Sequence, residues 1–201
     1  MRKVLTALAL VAATMAATPG VLAQEIQYYR AVSSGPGESP PNASPGYSIG
    51  SFQLDGTMLR ADIPFTDLTT GTVAAHIHCC TAESLAGTAG VAIPLFGFPS
   101  GVTAGNYSQT FDLMDAAVYD PNFLSAFGGT AAGASAALLD ALGDNTAYLN
   151  IHTSQYPGGE IRGFMVAAPI PEPGSWAMLG VGLLGVGMMA RRRIGQQAEP
   201  A

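Results

Sequence analysis

The sequence predicts a mainly β protein: a single antiparallel β-sandwich with a Greek-key-like arrangement and one or two short inserted helices. Three observations indicate this class. Many short stretches alternate apolar and polar residues, turn signals rich in Gly, Pro and Asp separate them, and an Ala-rich segment with helical spacing precedes the last two stretches. A cleavable leader and a C-terminal apolar helix are predicted to flank this domain.

The alternating stretches predict strands in a regular succession along the chain. They cover residues 24–32, 47–54, 57–65, 72–80, 91–96, 107–113, 148–153 and 160–166. Asp55-Gly56 is a hairpin turn signal, and the proline-rich segment 33–46 is predicted to be a loop. Helices are predicted over residues 116–127 and 130–142. Pro121 must lie near the start of the first helix or break it, and Gly143 ends the second.

The last predicted hairpin has an unusual distribution of side chains. In its first strand Leu149, Ile151 and Thr153 share one face, whereas Tyr148, Asn150 and His152 share the other. The turn at residues 156–159 combines a proline with two glycines, which suits a tight reversal. We therefore expect this hairpin to pack a core on one side and to present polar groups on the other.

Residues 1–23 have the pattern of a secretory signal peptide. Arg2 and Lys3 precede an apolar run, and Val21-Leu22-Ala23 forms a small-x-small cleavage site before Gln24. The run is too short for a membrane span, so the sequence predicts export across the inner membrane.

A second apolar run lies near the C-terminus. Residues 175–190 would form a helix of roughly 24 Å, a little shorter than a hydrocarbon core of about 30 Å. Trp176 lies at its outer edge and three arginines follow it, as the positive-inside rule requires. We predict a proline-rich linker over 168–174, a transmembrane helix with its basic stop over 175–193, and a cytoplasmic tail over 194–201.

The C-terminal segment resembles the PEP-CTERM sorting signal of Gram-negative bacteria. The resemblance is carried by a Pro-Glu-Pro motif, the apolar helix and the basic cluster: Pro171, Glu172, Pro173, Arg191, Arg192 and Arg193. It implies recognition by a membrane protease of the exosortase type, removal of the tail, and delivery to the cell surface or an exopolysaccharide matrix. The alternative is an ordinary C-terminal membrane anchor.

The segment between the two ends, residues 24–170, is strongly acidic. It contains three arginines and twelve Asp or Glu residues, and 3 − 12 gives a net charge of −9. Nucleic-acid binding requires clustered Lys and Arg, so this composition argues against a nucleic-acid partner.

All three histidines lie on predicted strands. His76 and His78 share one strand face with Cys80, and His152 lies on the polar face of its own strand. Such an arrangement can form a copper or zinc site with His76, His78, His152 and Cys80 as candidate ligands, because neutral imidazole suits both metals. The alternative is that the histidines make only structural hydrogen bonds and that the protein holds no cofactor.

The adjacent cysteines, Cys79 and Cys80, allow four interpretations in an exported protein. They can form a vicinal disulfide, a mixed or intermolecular bridge, a metal-binding pair, or two buried thiols.

The polar residues of the last hairpin are predicted to support the histidines. Glu160 can pair with Arg162, or it can accept a hydrogen bond from His152 or Asn150 across the hairpin. We favour the second interpretation and assign Asn150, Glu160 and Arg162 a structural role around His152.

Three stretches resemble the chordin-type (CHRD) domain. They are Ala75-His76-Ile77-His78, the strand Tyr148–Thr153 and the segment Pro157–Gly163, and the start of the domain matches around Glu38–Pro41. The resemblance covers roughly residues 27–166 and implies an extracellular, mostly β domain, placed here at residues 24–167. One departure is that Cys79-Cys80 stand where the family usually has Gly-Pro.

The His-x-His strand also resembles that of copper–zinc superoxide dismutase, but three histidines are too few for its two-metal site. No catalytic residues are predicted. The sequence therefore indicates a non-enzymatic binding or structural protein of the surface or matrix, with polysaccharide or surface proteins as partners. The alternative is a secreted metal-binding or redox β-sandwich protein that uses His76, His78 and His152.

Overall fold

A computed structural model describes residues 25–169 and residue 181. The predicted signal peptide, the Pro-Glu-Pro motif, the apolar C-terminal helix and its arginines lie outside the described residues. Within the described part of the chain, no helix combines the length and apolar character needed to cross a membrane.

The described domain contains eight strands. They are β1 (Gln27–Ser34), β2 (Tyr47–Asp55), β3 (Met58–Thr66), β4 (Thr72–His78), β5 (Val91–Pro94), β6 (Gly105–Asp112), β7 (Tyr148–Thr153) and β8 (Ile161–Ala167). Burial alternates along β3, where every second residue from Leu59 to Phe65 is buried. This two-residue period is the pattern from which the strands are predicted.

All eight strands belong to one antiparallel sheet with the order β5-β4-β7-β8-β1-β2-β3-β6. The sheet is curled, so that its two edges approach each other. Phe98, which follows β5, stacks 5.0 Å from Phe65 of β3 and lies 5.3 Å from Tyr107 of β6. The mainly β, antiparallel class is confirmed, and its two layers come from opposite parts of a single curled sheet.

Two helices, α1 (Pro121–Ala126) and α2 (Ala131–Asp144), are inserted between β6 and β7. The predicted helix over 116–127 is divided into a single 3-10 turn, Ala116–Val118, and the helix α1. Pro121 lies in the first turn of α1, where a backbone N–H would have no partner within the helix, so its absence costs nothing. The second helix ends at Asp144, one residue past Gly143, and Asn145 with its φ of 56° provides the left-handed cap.

The main hydrophobic core lies inside the curled sheet and beneath α2. Its fully buried side chains include Phe52, Leu59, Ile63, Ile77, Ile93, Leu113, Leu138, Leu142, Leu149, Ile151, Ile161 and Met165. Ala75, Ile77 and Cys79 face this core as predicted, but Val73 is 54% exposed because the register shifts between Thr72 and Ala74.

The polar face of β7 is not exposed, contrary to the prediction that it presents its polar groups outward. All six residues of β7 are buried. Three loops cover the outer face of the sheet here: the segment 35–46, the segment 80–90 and the turn 154–160. Their contacts include Glu38 on Asn150, the Ala89 carbonyl on Tyr148 and the Pro157 carbonyl on His152. A second, polar interior therefore lies between the sheet and its loops.

Candidate metal centre

The pairing of β4 with β7 brings the three histidines together. The antiparallel register places His152 opposite Ala74 and Asn150 opposite His76. His152 is therefore the diagonal neighbour of His76 on the same outer face, and His78 is the next residue along that face. Sequence spacing alone predicts the His76 and His78 pair, whereas the third histidine depends on this pairing.

The three imidazoles form a compact cluster. His76 Nδ1 lies 3.1 Å from His152 Nε2, and one ring nitrogen from each of the three residues lies within 4.8 Å of the others. The ring centroids are 4.9 Å apart for His76 and His152, and 5.6 Å apart for His76 and His78. Nitrogens on a tetrahedral zinc ion lie about 3.3 Å apart, so closure onto a metal requires movements of only about 1 Å.

Backbone carbonyls orient two of the rings. His78 Nδ1 lies 3.0 Å from the Ala89 carbonyl oxygen, and His152 Nδ1 lies 3.0 Å from the Pro157 carbonyl oxygen. In the neutral tautomers that these contacts favour, both Nδ1–H groups donate and both Nε2 atoms carry a lone pair. His78 Nε2 is buried without a hydrogen-bond partner among the described residues. The lone pairs are thus available to an electrophile within the cluster.

The surroundings keep the three histidines uncharged. Burial, together with the neighbouring His152 and His78, lowers the pKa of His76 to about 4, although the charge of Asp120 opposes this shift. Burial also lowers the pKa of His78 and the pKa of His152, although their carbonyl contacts oppose this effect. Near pH 7 all three rings are therefore neutral, which is the form that binds metals.

Aromatic and cationic side chains fix His78 from its other side. The Tyr148 ring stacks on the His78 ring at 4.7 Å with an angle of 1°, and the Arg162 guanidinium lies 4.9 Å from the Tyr148 ring. Arg162 donates hydrogen bonds to the carbonyls of Gly37 and Gly87, which tie two covering loops to β8. Arg162 therefore contacts Tyr148 and two covering loops, and it makes neither the pair with Glu160 nor a contact with His152.

The expected hydrogen bond between Glu160 and His152 or Asn150 is not formed. Glu160 is fully buried, and its carboxylate accepts instead from Ser44 Oγ at 2.6 Å, from the Thr69 backbone N–H at 2.7 Å and from Thr153 Oγ1. The Glu160 carboxylate points away from His152, because its partner Thr153 lies on the opposite face of β7. Glu160 therefore joins β7 to two loops and does not orient an imidazole.

Asn150 donates to the carboxylate of Glu38 and to the Ile161 carbonyl. Burial raises the pKa of Glu38, and the hydrogen bond from Asn150 and the charge of Arg162 oppose this shift. Glu38 thus links the covering segment 35–46 to Asn150 of β7, beside the histidines.

Cys80 does not join the histidine cluster. Cys79 and Cys80 form a vicinal disulfide, and both sulfurs lie against the Ala137 carbonyl of α2, at 4.0 Å and 3.7 Å. Because β4 ends at His78, the chain turns away from the outer face before Cys80. The proposal of Cys80 as a metal ligand is therefore wrong for this oxidised, helix-facing pair.

Sequence reasoning missed the groups that hold the rings in place. The carbonyls of Ala89 and Pro157 carry no residue-type signal, since any residue supplies a carbonyl. Glu38 lies in a proline-rich loop 112 positions from Asn150, and nothing local indicates that they meet. The sequence places Tyr148 on the same predicted strand face as His152, but it does not indicate that the Tyr148 ring stacks on His78.

The comparisons with known proteins concern two parts of the chain. Residues 29–165 match the CHRD domain, and residues 169–193 match the PEP-CTERM protein-sorting motif. No curated protein and no solved structure matches the chain. The sorting motif marks an exported protein that is anchored transiently in the membrane and processed by an exosortase. Since the domain match spans more than half of the sequence, the chain belongs to the CHRD-domain family.

Proposed function

We propose that the CHRD domain of this exported protein is a non-enzymatic metal-binding domain, and that His76, His78 and His152 together hold one copper or zinc ion. The observation that carries the proposal is the convergence of three imidazole nitrogens within 4.8 Å. The proposed role is binding at the cell surface, after processing of the sorting signal.

The chemistry of the donor set favours these two metals. Imidazole nitrogen is a good ligand for zinc and copper, whereas calcium and magnesium prefer oxygen ligands. Metal-binding histidines usually donate their second ring N–H to a carbonyl or carboxylate, which fixes the ring and strengthens the ligand. His78 and His152 already make such contacts with Ala89 and Pro157.

Burial of three neutral imidazoles beside one another also needs an explanation. The His76 and His152 nitrogens at 3.1 Å can share only one proton, and His78 Nε2 has no hydrogen-bond partner in the described domain. A buried polar atom without a partner costs about 1–3 kcal/mol. A metal ion in the cluster would satisfy all three lone pairs at once.

The test is the metal content of the full chain, purified without chelator or metal-affinity resin and measured by elemental mass spectrometry. We expect about one zinc or copper ion per chain, and at least a tenfold loss in His76→Ala and His152→Ala. Tyr156→Ala, in the turn near His152 but outside the cluster, serves as the matched control and should keep its metal. A well-folded wild-type chain that takes up no zinc or copper from solution would refute the proposal.

A second candidate is a binding or structural role toward extracellular polysaccharide or surface proteins. The PEP-CTERM match supports it, because this signal directs the chain to the surface. Sedimentation of the full chain with isolated exopolysaccharide tests this role. Retention that is unchanged in His76→Ala would make it independent of the metal centre, and no retention of either chain would argue against it.

A further inference from the structure

We infer that the three-histidine centre keeps an open coordination position, and that this position takes a small nitrogen- or oxygen-donor ligand carrying an apolar ring from the cavity beside His76. The inference rests on the proposed function, since it requires the bound metal. It adds a ligand class and an access route to that site.

Among the described residues, no fourth side chain joins the three histidines as a metal ligand. Within the described residues, the cluster contains only the three histidines. The other polar side chains of this face are engaged: Tyr148 with Ala89, Asn150 with Glu38 and the Ile161 carbonyl, and Arg162 with two loop carbonyls. Zinc or copper held by three imidazoles completes its coordination with water or an added ligand.

The histidine cluster borders a cavity of about 250 Å³, which lies between β4 and the segment that follows β5. His76, one of the three proposed ligands, lines it directly. His76 and His78 are both partly buried, whereas His152 is 8% exposed, and of the three it is His76 that lines the cavity. Ligand access is therefore expected from the side of His76.

The side chains that line this cavity are mainly apolar. Apart from His76, the side chains that line it are apolar, and they include Val73, Pro94, Leu95, Phe96 and Phe98. Phe96 is 73% exposed and Val73 is 54% exposed, which leaves an apolar rim open to solvent. Pockets for drug-sized ligands have volumes of about 300–1,000 Å³, so this smaller cavity suits a molecule of one or two rings. A ligand of this class would place its donor atom on the metal and its ring against the apolar wall of the cavity.

The experiment compares two imidazole probes that differ only in the presence of a phenyl ring. The full chain is loaded with copper(II) alone and titrated with imidazole and with 4-phenylimidazole, while copper electron paramagnetic resonance and visible absorption are recorded. We expect both probes to change the copper spectrum, because each places a nitrogen on the open position. We expect 4-phenylimidazole to bind about tenfold more tightly, because its phenyl ring is removed from water against the apolar wall.

Two surface variants assign the effect to the cavity. Phe96→Ala should reduce the preference for 4-phenylimidazole at least threefold while leaving copper stoichiometry and imidazole binding unchanged. Met58→Ala, which removes an exposed apolar side chain from β3 outside the cavity, should retain the wild-type preference. Neither side chain is buried, so both variants should fold.

The possible failures are distinguishable. Copper that binds with full stoichiometry but whose spectrum responds to neither probe would overturn the open position and leave the metal site intact. Equal affinity for the two probes, or a preference unchanged in Phe96→Ala, would overturn the role of the cavity. Failure to bind copper or zinc at all would refute the proposed function and this inference with it.

Discussion

Two buried carboxylates of this domain have opposite energetic roles. Glu160 accepts three hydrogen bonds, from Ser44, Thr69 and Thr153, and is fully buried. Glu38 accepts from Asn150, but burial raises its pKa, so its charge is disfavoured. The Glu160 carboxylate therefore has three hydrogen-bond donors, whereas burial disfavours the charge of Glu38.

We predict that Glu160→Gln lowers the free energy of unfolding by about 2–4 kcal/mol, because an amide N–H₂ would face hydrogen-bond donors. Glu38→Gln keeps an acceptor for Asn150 and removes a desolvated charge, so the change should stay within about 1 kcal/mol. Urea unfolding of both variants checks this pair. Equal losses would contradict the roles that we assign to the two residues.

The histidine cluster predicts a pH dependence of the metal-free chain. Burial lowers the pKa of His76 from 6.5 to about 4 and also lowers the pKa of His78 and of His152. Below pH 6.5 the unfolded chain therefore binds protons that the folded chain does not, and stability falls as the pH falls toward 4. For His76 the loss is on the order of 1–2 kcal/mol once its partial exposure is discounted.

The measurement is the free energy of unfolding of the chelator-treated chain at several values between pH 7 and pH 4, beside His76→Gln. Glu38 acts with the opposite sign, because its raised pKa makes the folded chain take up its proton first. The difference between the two chains cancels this contribution. A slope that is no smaller in the variant would show that His76 is not responsible.

Among the elements, the hairpin of β7 and β8 positions both the histidines and the covering loops. Its turn depends on Gly159, whose φ is +129° and where a Cβ would lie 2.7 Å from side-chain atoms of Asn150 and Glu38. The neighbouring Gly158 has open space around it. The two glycines therefore serve different purposes, although they look alike in the sequence.

We expect Gly159→Ala to destabilise the domain by about 1–3 kcal/mol, because the backbone conformation and the close contacts both oppose a side chain. It should also weaken metal binding, because the Pro157 carbonyl that orients His152 belongs to the same turn. Gly158→Ala is the control and should change stability by less than about 1 kcal/mol. Thermal unfolding and zinc titration of both variants test the difference.

Element positions were largely predictable, because the two-residue period of a half-buried strand is local. The prediction of 57–65 for β3 lies within one residue of Met58–Thr66 at each end. Pro121 is a signal for a helix start or break, and α1 begins there, but the separate 3-10 turn over Ala116–Val118 has no comparable signal. The two-residue period of a strand places His76 and His78 on one face, but no local pattern indicates that β4 pairs with β7.

On the scale of the whole molecule, one curled sheet separates two interiors. The inner one is hydrophobic and is closed by α2, whereas the outer one is polar and is closed by three loops. The sequence predicts the inner core from aliphatic alternation. It does not predict the outer one, because its contacts join residues such as Glu38 and Asn150, or Gly37 and Arg162, that lie more than a hundred positions apart.

A metal that binds only the folded cluster should stabilise the whole domain. At a free zinc concentration of 100 times Kd, linkage adds about 2.7 kcal/mol. For a domain of this size, that corresponds to a rise in Tm of roughly 5–10 °C. Differential scanning calorimetry with and without zinc measures the shift. His76→Ala should lose it, and an equal shift in that variant would place the zinc elsewhere.

The most direct test of the metal centre is X-ray absorption at the metal edge of the zinc-loaded full chain. We predict three imidazole ligands and one further light donor at about 2.0–2.1 Å, with no sulfur scatterer. The spectrum should be unchanged in Cys80→Ser, because the disulfide lies against α2. A sulfur ligand at about 2.3 Å, or a zinc site with fewer than three imidazoles, would contradict the assignment of His76, His78 and His152.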